Sequence, residues 1–283
     1  MIKKIISKFE SILTKKVLNY NTSDFWYIKF LNFKTRKYGY KFSISDLPDK
    51  EPKYKIVDII TNKTIFFGYR QQGLMCYSGG IAKRGISLAN QYMIDSLSFN
   101  DGDYIFDIGA NTGDFKIYFD NNNIKINYYG FDPGLIEYNS LKRNISNGLY
   151  YNLALGNTNT VSSFYYKPEF GDSSLVEMSD YLFKYDVKVN TFETFIIENN
   201  LQNRKIKLLK VEAEGFEPEI IYGIGDFLNN IEYITADLGF ERGINQETTA
   251  PQVLEYLILN GFEIIKINKD RFCFLLKNKN YKI

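Results

Sequence analysis

Histidine is absent from this 283-residue chain. That removes Ser–His–Asp triads, histidine metal centres and a histidine general base, so any proton transfer must fall to another side chain. Cysteine is scarce: Cys76 and Cys273 lie far apart, with neither metal-ligand spacing nor a disulfide framework, and fit a reducing compartment. No apolar run approaches the roughly 20 residues that span a bilayer. Charge of one sign is missing too. The net charge is +2 with basic residues scattered, which gives no nucleic-acid footprint. A cytoplasmic protein follows as the expectation.

What is present is apolar and aromatic. Hydrophobic residues make up 45% of the chain, enough for a sizeable core, and aromatics 17%, nearly all Tyr and Phe. Met1–Tyr20 reads as a basic amphipathic helix with Ile5, Phe9, Ile12, Leu13 and Val17 on one face. Lysines and a glutamate break its apolar part, so it is not read as a signal peptide, and it is expected to pack on its own domain rather than on a membrane.

Residues 1–100 lack a strand–helix rhythm and are expected to form an N-terminal α+β cap. Lys55–Ile60 and Thr64–Tyr69 flank Thr61-Asn62-Lys63 as a hairpin, Asp46–Pro52 is a loop, and Gly85–Leu97 is a helix. From residue 101 to 283 the rhythm is clear. Strands are expected at 104–108, 127–131, 149–154, 206–212, 231–237, 262–267 and 271–277. Helices near 113–120, 135–145, 191–199, 216–223 and 249–260 separate most of them. Alternation of this kind means an α/β fold with a parallel sheet. The last two strands have only a short turn between them and should pair antiparallel. A Rossmann-like, seven-stranded, mostly parallel sheet closed in this way is the architecture of class I methyltransferases.

Chemistry gathers at the expected strand ends. Tyr104–Asp114 is an apolar run, an acid, a turn of small residues and a helix start, spaced Asp-x-Gly-x-x-x-Gly from Asp107 to Gly113. Dinucleotide sites use Gly-x-Gly-x-x-Gly and cradle a pyrophosphate on the helix. An acid in the turn would repel that anion and suits a ligand with a cationic centre and free hydroxyls, as in S-adenosylmethionine. Asp107, Gly109, Ala110, Asn111 and Gly113 are the candidates there, although a plain turn with local Asx bonds reads the same way. Asp132 ends the second strand, where such folds place a ribose; the plainer reading is a helix cap. Ala154, beside Asn152, ends the third strand, and Ser173 lies in the following excursion, where small polar residues can cover a ligand. Glu212 and Glu214 stand two apart after Ile206–Val211, hence on one face, unless they merely cap the next helix. Asp237 ends the fifth strand, with Glu241 and Arg242 read as a surface pair. No ligand pattern specific to a metal is visible.

The series Asp107-Ile108-Gly109-Ala110-Asn111-Thr112-Gly113, Phe131-Asp132-Pro133, Ala154-Leu155-Gly156 and Lys210-Val211-Glu212-Ala213-Glu214-Gly215 resembles the FkbM-type S-adenosylmethionine-dependent methyltransferases, over residues 74–277. Tyr77–Arg84 and Asp237–Gly243 also look like features of some members. There are two departures: the usual Glu after the second strand is Asp132, and the usual Asp of the fourth-strand motif is Glu212. The resemblance implies methylation of hydroxyl groups on sugars, polyketides and related metabolites, and the expectation is an O-methyltransferase acting on a sugar or sugar-like small molecule or glycan. Since histidine is absent, a carboxylate must take the acceptor proton, and Glu212, Asp237 and Glu214 are the catalytic candidates. N-methylation, or a cofactor-binding scaffold, are the alternatives.

Overall fold

The computed structural model describes residues 23–167 and 171–281. The helix expected over Met1–Tyr20 lies outside the described residues. The first described elements are α1 (Asp24–Thr35), β1 (Tyr40–Ile44), β2 (Tyr54–Asp58), β3 (Thr64–Phe67), α2 (Arg70–Met75) and α3 (Ile81–Gln91). There follow β4 (Tyr104–Ile108), α4 (Lys116–Asn121), β5 (Asn127–Phe131), α5 (Leu135–Asn144) and β6 (Leu149–Tyr151). The middle holds β7 (Ala154–Gly156), β8 (Thr160–Tyr166), β9 (Phe183–Thr191), α6 (Phe192–Glu198), β10 (Ile206–Val211) and α7 (Glu217–Tyr222). The chain ends with β11 (Ile231–Asp237), β12 (Phe240–Arg242), β13 (Glu247–Thr248), α8 (Ala250–Leu259), β14 (Phe262–Asn268) and β15 (Cys273–Asn278).

Seven strands form the main sheet in the order β14-β15-β11-β10-β4-β5-β6. The pairs β10–β11, β10–β4, β4–β5 and β5–β6 are parallel, and β15 runs antiparallel to both neighbours. The mostly parallel seven-stranded sheet beginning at Tyr104 is therefore as expected. Its inner strands are mostly apolar because helices cover both faces, with charged residues concentrated toward their ends. Ile105, Leu208 and Leu275 pack on Leu88, Tyr92, Phe115 and Phe119. The alternate residues Phe106, Leu209 and Leu276 pack with Phe192, Phe195, Ile220, Val253 and Leu257. Chain order reverses between β4 and β10, and a crevice opens beyond the carboxyl ends of such a pair. Among the described residues no helix is long and apolar enough to cross a membrane.

Three expectations need correction. The strand expected over 149–154 is two short strands in different sheets: β6 stays beside β5, and β7 leaves to pair with β9. Asn152 makes the break, its side-chain amide donating to the carbonyls of Asp132 and Pro133 at 3.1 and 2.9 Å. The strands β8 and β9 lie where only a loop excursion was expected. They build a three-stranded sheet with β7, burying Tyr166, Val187 and Val189. The helix expected over Gly85–Leu97 starts earlier, at Ile81, and stops at Gln91, because Met93 takes a left-handed φ of 58° before a 3-10 turn.

The hairpin expected around Thr61–Lys63 is present as β2 and β3, joined by β1 on the other edge of β2. With α1 these strands bury Tyr27, Leu31, Phe42, Tyr54 and Phe67 in one cluster that Ile81 of α3 and Ile117 of α4 also enter. This layer meets the main sheet through α5, where the Asn144 side chain brackets Phe66, accepting from its N–H and donating to its carbonyl, each at 2.8 Å.

Phe106 is fully buried, stacked on Tyr129 at 4.7 Å and edge-on to Phe192 at 5.2 Å. Truncating such a ring costs about 3–5 kcal/mol. Phe106→Ala should lower Tm by roughly 6–20 °C in a thermal melt; a shift under a few degrees would mean that this cluster does not hold the sheet together.

Candidate functional site

A cleft of about 370 Å³ opens at the carboxyl ends of β4, β5 and β10. Its floor is organised by the ammonium of Lys210. The side chain is only 4% exposed and lies 2.9 Å from Asp107 and 3.0 Å from Glu212. It also donates to the Gly109 carbonyl at 2.8 Å and sits over the Tyr92 ring at 5.4 Å. Burial opposes the charge on Lys210, but the two carboxylates outweigh it and raise its pKa. Burial likewise works to raise Glu212, and Lys210, with Tyr92 and Arg271, reverses this and holds Glu212 ionised below the ordinary carboxyl value.

Asp107 thus faces inward. It is fully buried, Tyr128 donates to its other oxygen at 2.5 Å, and it does not line the cleft. Ala110 and Gly113 are also away from the lining, Gly113 packing under Leu141 and Ile145. Gly109 and Asn111 do line it. Gly109 has a φ of 72°, and a side chain there would come within 1.7 Å of the Glu212 carbonyl oxygen. The glycine is required by strand-to-strand approach, so a larger residue would disturb the floor itself as well as any ligand.

At one end of the cleft Asp132 and Glu137 converge. Asp132 accepts the backbone N–H groups of Asn111 at 2.8 Å and Gly134 at 2.9 Å. Burial pushes its pKa up to about 7 against these two bonds. Glu137, in the first turn of α5, is 8% exposed and is pushed up to about 8 by burial and then by Asp132. The sequence reading missed Glu137; the signal that could have found it is an acid five residues after Asp132, in the first turn of the helix that follows the strand end. The Asn111 side chain is oriented by Gln72, whose Nε2 donates at 2.9 Å. Gln71, 5% exposed in the cleft wall, has an Oε1 with no donor among the described residues.

The opposite end is built by the turn after β10. The strand stops at Val211, so the shared direction of Glu212 and Glu214 comes from the turn rather than from strand alternation. Glu214 has a φ of 50° and Gly215 one of 94°, where a side chain would meet the Arg242 backbone at 2.5 Å. The residue that caps this turn is Glu217. One of its oxygens accepts the N–H groups of Ala213 and Gly215 at 2.9 and 3.1 Å, and the other accepts the Thr249 hydroxyl at 2.9 Å. Glu212 and Glu214 are thereby left free of capping duty. Ser174 clips the covering loop to the turn by donating to the Glu214 carbonyl at 2.8 Å. Ser173, beside it, lines the cleft and accepts the Lys167 N–H at 2.9 Å; Ala154 lines the wall from β7.

Asp237 is 2% exposed behind the lining, 3.2 Å from Arg271 and 3.4 Å from Gln91, both of which do line the cleft. The expected surface pair of Glu241 and Arg242 is not formed. Arg242 pairs with Glu219 through two bonds of 2.9 and 2.7 Å, and Glu241 turns into the cleft. Burial, then Asp237 and Glu212, pushes Glu241 up to about 7. Burial, then Glu241 and Glu212, raises Glu214 well above its ordinary value, and burial with Glu212 raises Asp237. Among the described residues no group of three or more metal-binding side chains is placed to hold an ion.

Residues 107–264, more than half of the chain, match the family model of the methyltransferase FkbM domain. No curated protein matches the chain.

Two measurements check this arrangement. Lys210→Met leaves Asp107 buried without its counter-ion and should cost about 3–5 kcal/mol of stability; adding Asp107→Asn should recover part of it, and additive losses would show that the two groups are not coupled. Asp132 and Glu137 bind protons more tightly folded than unfolded. Their contribution is therefore fully present at acid pH and is lost as pH rises from about 4 to about 8. Glu137→Gln should raise Tm at pH 8.5 relative to its effect at pH 4, where the folded and unfolded forms are both largely protonated; an effect independent of pH would show that burial does not raise the Glu137 pKa.

Proposed function

This chain belongs to the FkbM methyltransferase family, and from that premise we propose that it methylates a hydroxyl of a sugar or sugar-like acceptor, with S-adenosylmethionine as methyl donor. In this reading residues 101–283 are the catalytic domain of a class I methyltransferase, residues 1–100 are its cap, and its setting is cytoplasmic. One observation carries the proposal: the cleft between β4, β5 and β10 is lined by carboxyl groups at both ends, with a floor that a glycine brings close. That composition suits a ligand bearing a sulfonium, an ammonium and a ribose diol, and disfavours a pyrophosphate. The donorless Gln71 Oε1 in the wall offers such a ligand an acceptor.

S-adenosylmethionine, when bound, supplies an electrophilic methyl group for in-line displacement. The chain's residues then have separate tasks. Asp132, with Glu137 beside it, accepts bonds from the ribose hydroxyls; Gly109, Asn111, Ala154 and Ser173 shape the walls around the donor. Glu212, kept ionised by Lys210, faces the junction of donor and acceptor. Glu214, whose carboxyl pKa burial raises well above its ordinary value, faces the acceptor from the turn after β10. The acceptor proton goes to Glu241, pushed up to about 7 and so matched to a base working near neutral pH, or, behind it, to Asp237, whose pKa burial also raises. Holding the hydroxyl in line with the methyl group provides much of the acceleration.

Each charge-assisted hydrogen bond is worth about 1.5–3 kcal/mol, so Asp132→Ala should weaken S-adenosylmethionine binding tenfold or more by calorimetry below its melting transition, which falls because the Asn111 and Gly134 N–H groups lose their acceptor. A screen of sugars, glycans and amines with labelled donor should give methyl transfer to hydroxyl acceptors. Glu241→Gln and Asp237→Asn should then keep donor affinity and lower turnover by about 10²–10⁴-fold. Transfer to amines alone, or donor affinity indifferent to Asp132, would overturn the assignment.

A further inference from the structure

A second hollow, of about 410 Å³, adjoins the cleft and shares Met75, Cys76 and Arg84 with it. The C-terminal end of α1, the turn from α2 to α3 and the first turns of α3 enclose it. Its charge is opposite to that of the cleft. Lys34, Lys37 and Lys83 line it, and no Asp or Glu does among the described residues. Arg84 is already matched by Asp114 at 2.6 Å. The three lysines have no carboxylate partner among the described residues; Lys37 rests only over the Tyr38 ring at 5.0 Å. Across the shared wall, Asp132, Glu137, Asp172, Glu212, Glu214 and Glu241 line the cleft. Burial pushes Asp132, Glu137, Glu214 and Glu241 up, so the negative charge facing the hollow rests on Glu212, which Lys210 holds ionised.

We propose that the lysine-lined hollow holds a phosphoryl group of the methyl acceptor, so that the substrate is a phosphorylated sugar or a nucleoside-diphosphate sugar rather than a neutral one. The proposal rests on the methyltransferase reading of the neighbouring cleft and adds the acceptor's charge to it. Three ammonium groups around one hollow suit a multiply charged anion better than a single carboxylate, since lysine binds phosphate as a point charge. The ionised Glu212 in the cleft disfavours the same anion there. An acceptor with a phosphoryl group at one end and hydroxyls at the other is therefore oriented by both fields: anion among the lysines, neutral hydroxyl past Met75 and Arg84 toward Glu241. The hollow would fix which end of the acceptor enters.

The probe is inorganic pyrophosphate, titrated by calorimetry into the full chain at 50 mM and 300 mM salt. Wild type should bind it saturably at low salt and more weakly at high salt. Lys34→Glu/Lys37→Glu/Lys83→Glu should weaken this at least tenfold. All three side chains are exposed, so the triple variant should melt as wild type does and bind S-adenosylmethionine unchanged. No saturable pyrophosphate binding, or equal binding by wild type and variant, overturns the proposal. So does lysine-dependent sedimentation with phosphatidylserine vesicles that pyrophosphate does not compete, which would assign the lysines to a lipid surface. Loss of S-adenosylmethionine binding by wild type would instead overturn the donor reading, leaving the pyrophosphate result to stand by itself.

Discussion

The buried ammonium of Lys210 is the constraint on which the cleft depends. It joins the carbonyl end of β4, the carboxylate of Glu212 at the end of β10 and the ring of Tyr92 after α3. Three segments far apart in sequence are thereby fixed at one point. The register of β4 on β10 places Lys210 opposite Asp107, and Gly109 allows the Glu212 backbone to close over the turn. Desolvating such an ion costs several kcal/mol, so the cluster is weak evidence for net stability. Its effect is on geometry and protonation: one buried cation keeps Asp107 as its permanent partner and Glu212 as an ionised group in the cleft.

That single cation divides the acids of the cleft into two kinds. Glu212, in contact with Lys210, stays charged. Glu214, Glu241 and Asp237 lie farther from it, feel Glu212 as a like charge, and are pushed up by burial. In a chain without histidine, this is how a group titrating near neutral pH can arise from carboxyls alone. Arg271 moderates the effect at Asp237 without cancelling it.

Much of the main sheet was legible because parallel strands buried on both faces leave plain apolar runs: 104–108, 127–131 and 231–237 coincide with β4, β5 and β11. The small sheet was missed although its signal was present. Lys184, Asp186 and Lys188 alternate with Tyr185, Val187 and Val189, a period of two that reads as a half-exposed strand. The acids at the strand ends were legible as a set, but not their duties. Asp107 and Glu212 carry similar sequence signals, yet one pairs beneath the floor and the other faces the cleft, because only the fold decides on which side of Lys210 each lies. The helix cap weighed for Glu212 and Glu214 is not made by any side chain, Glu217 instead tying the turn before it, and the partner of Arg242 was Glu219, in the first turn of α7 and remote in sequence.

The two departures from the family's usual residues become intelligible together. Asp132 has one methylene less than the usual Glu, and the amides of Asn111 and Gly134 hold it close to the backbone. A second carboxyl, Glu137, rises from α5 beside it; Gly134 leaves the room, since a side chain there would meet Glu137 at 2.3 Å. The shorter acid is thus supplemented by a neighbour rather than stretched. Glu212 has one methylene more than the usual Asp, and its extra reach is taken up in folding back to Lys210 from the residue two positions earlier. At both ends a carboxyl stays at the strand terminus while its support differs: backbone amides and Glu137 beside Asp132, the Lys210 ammonium beside Glu212.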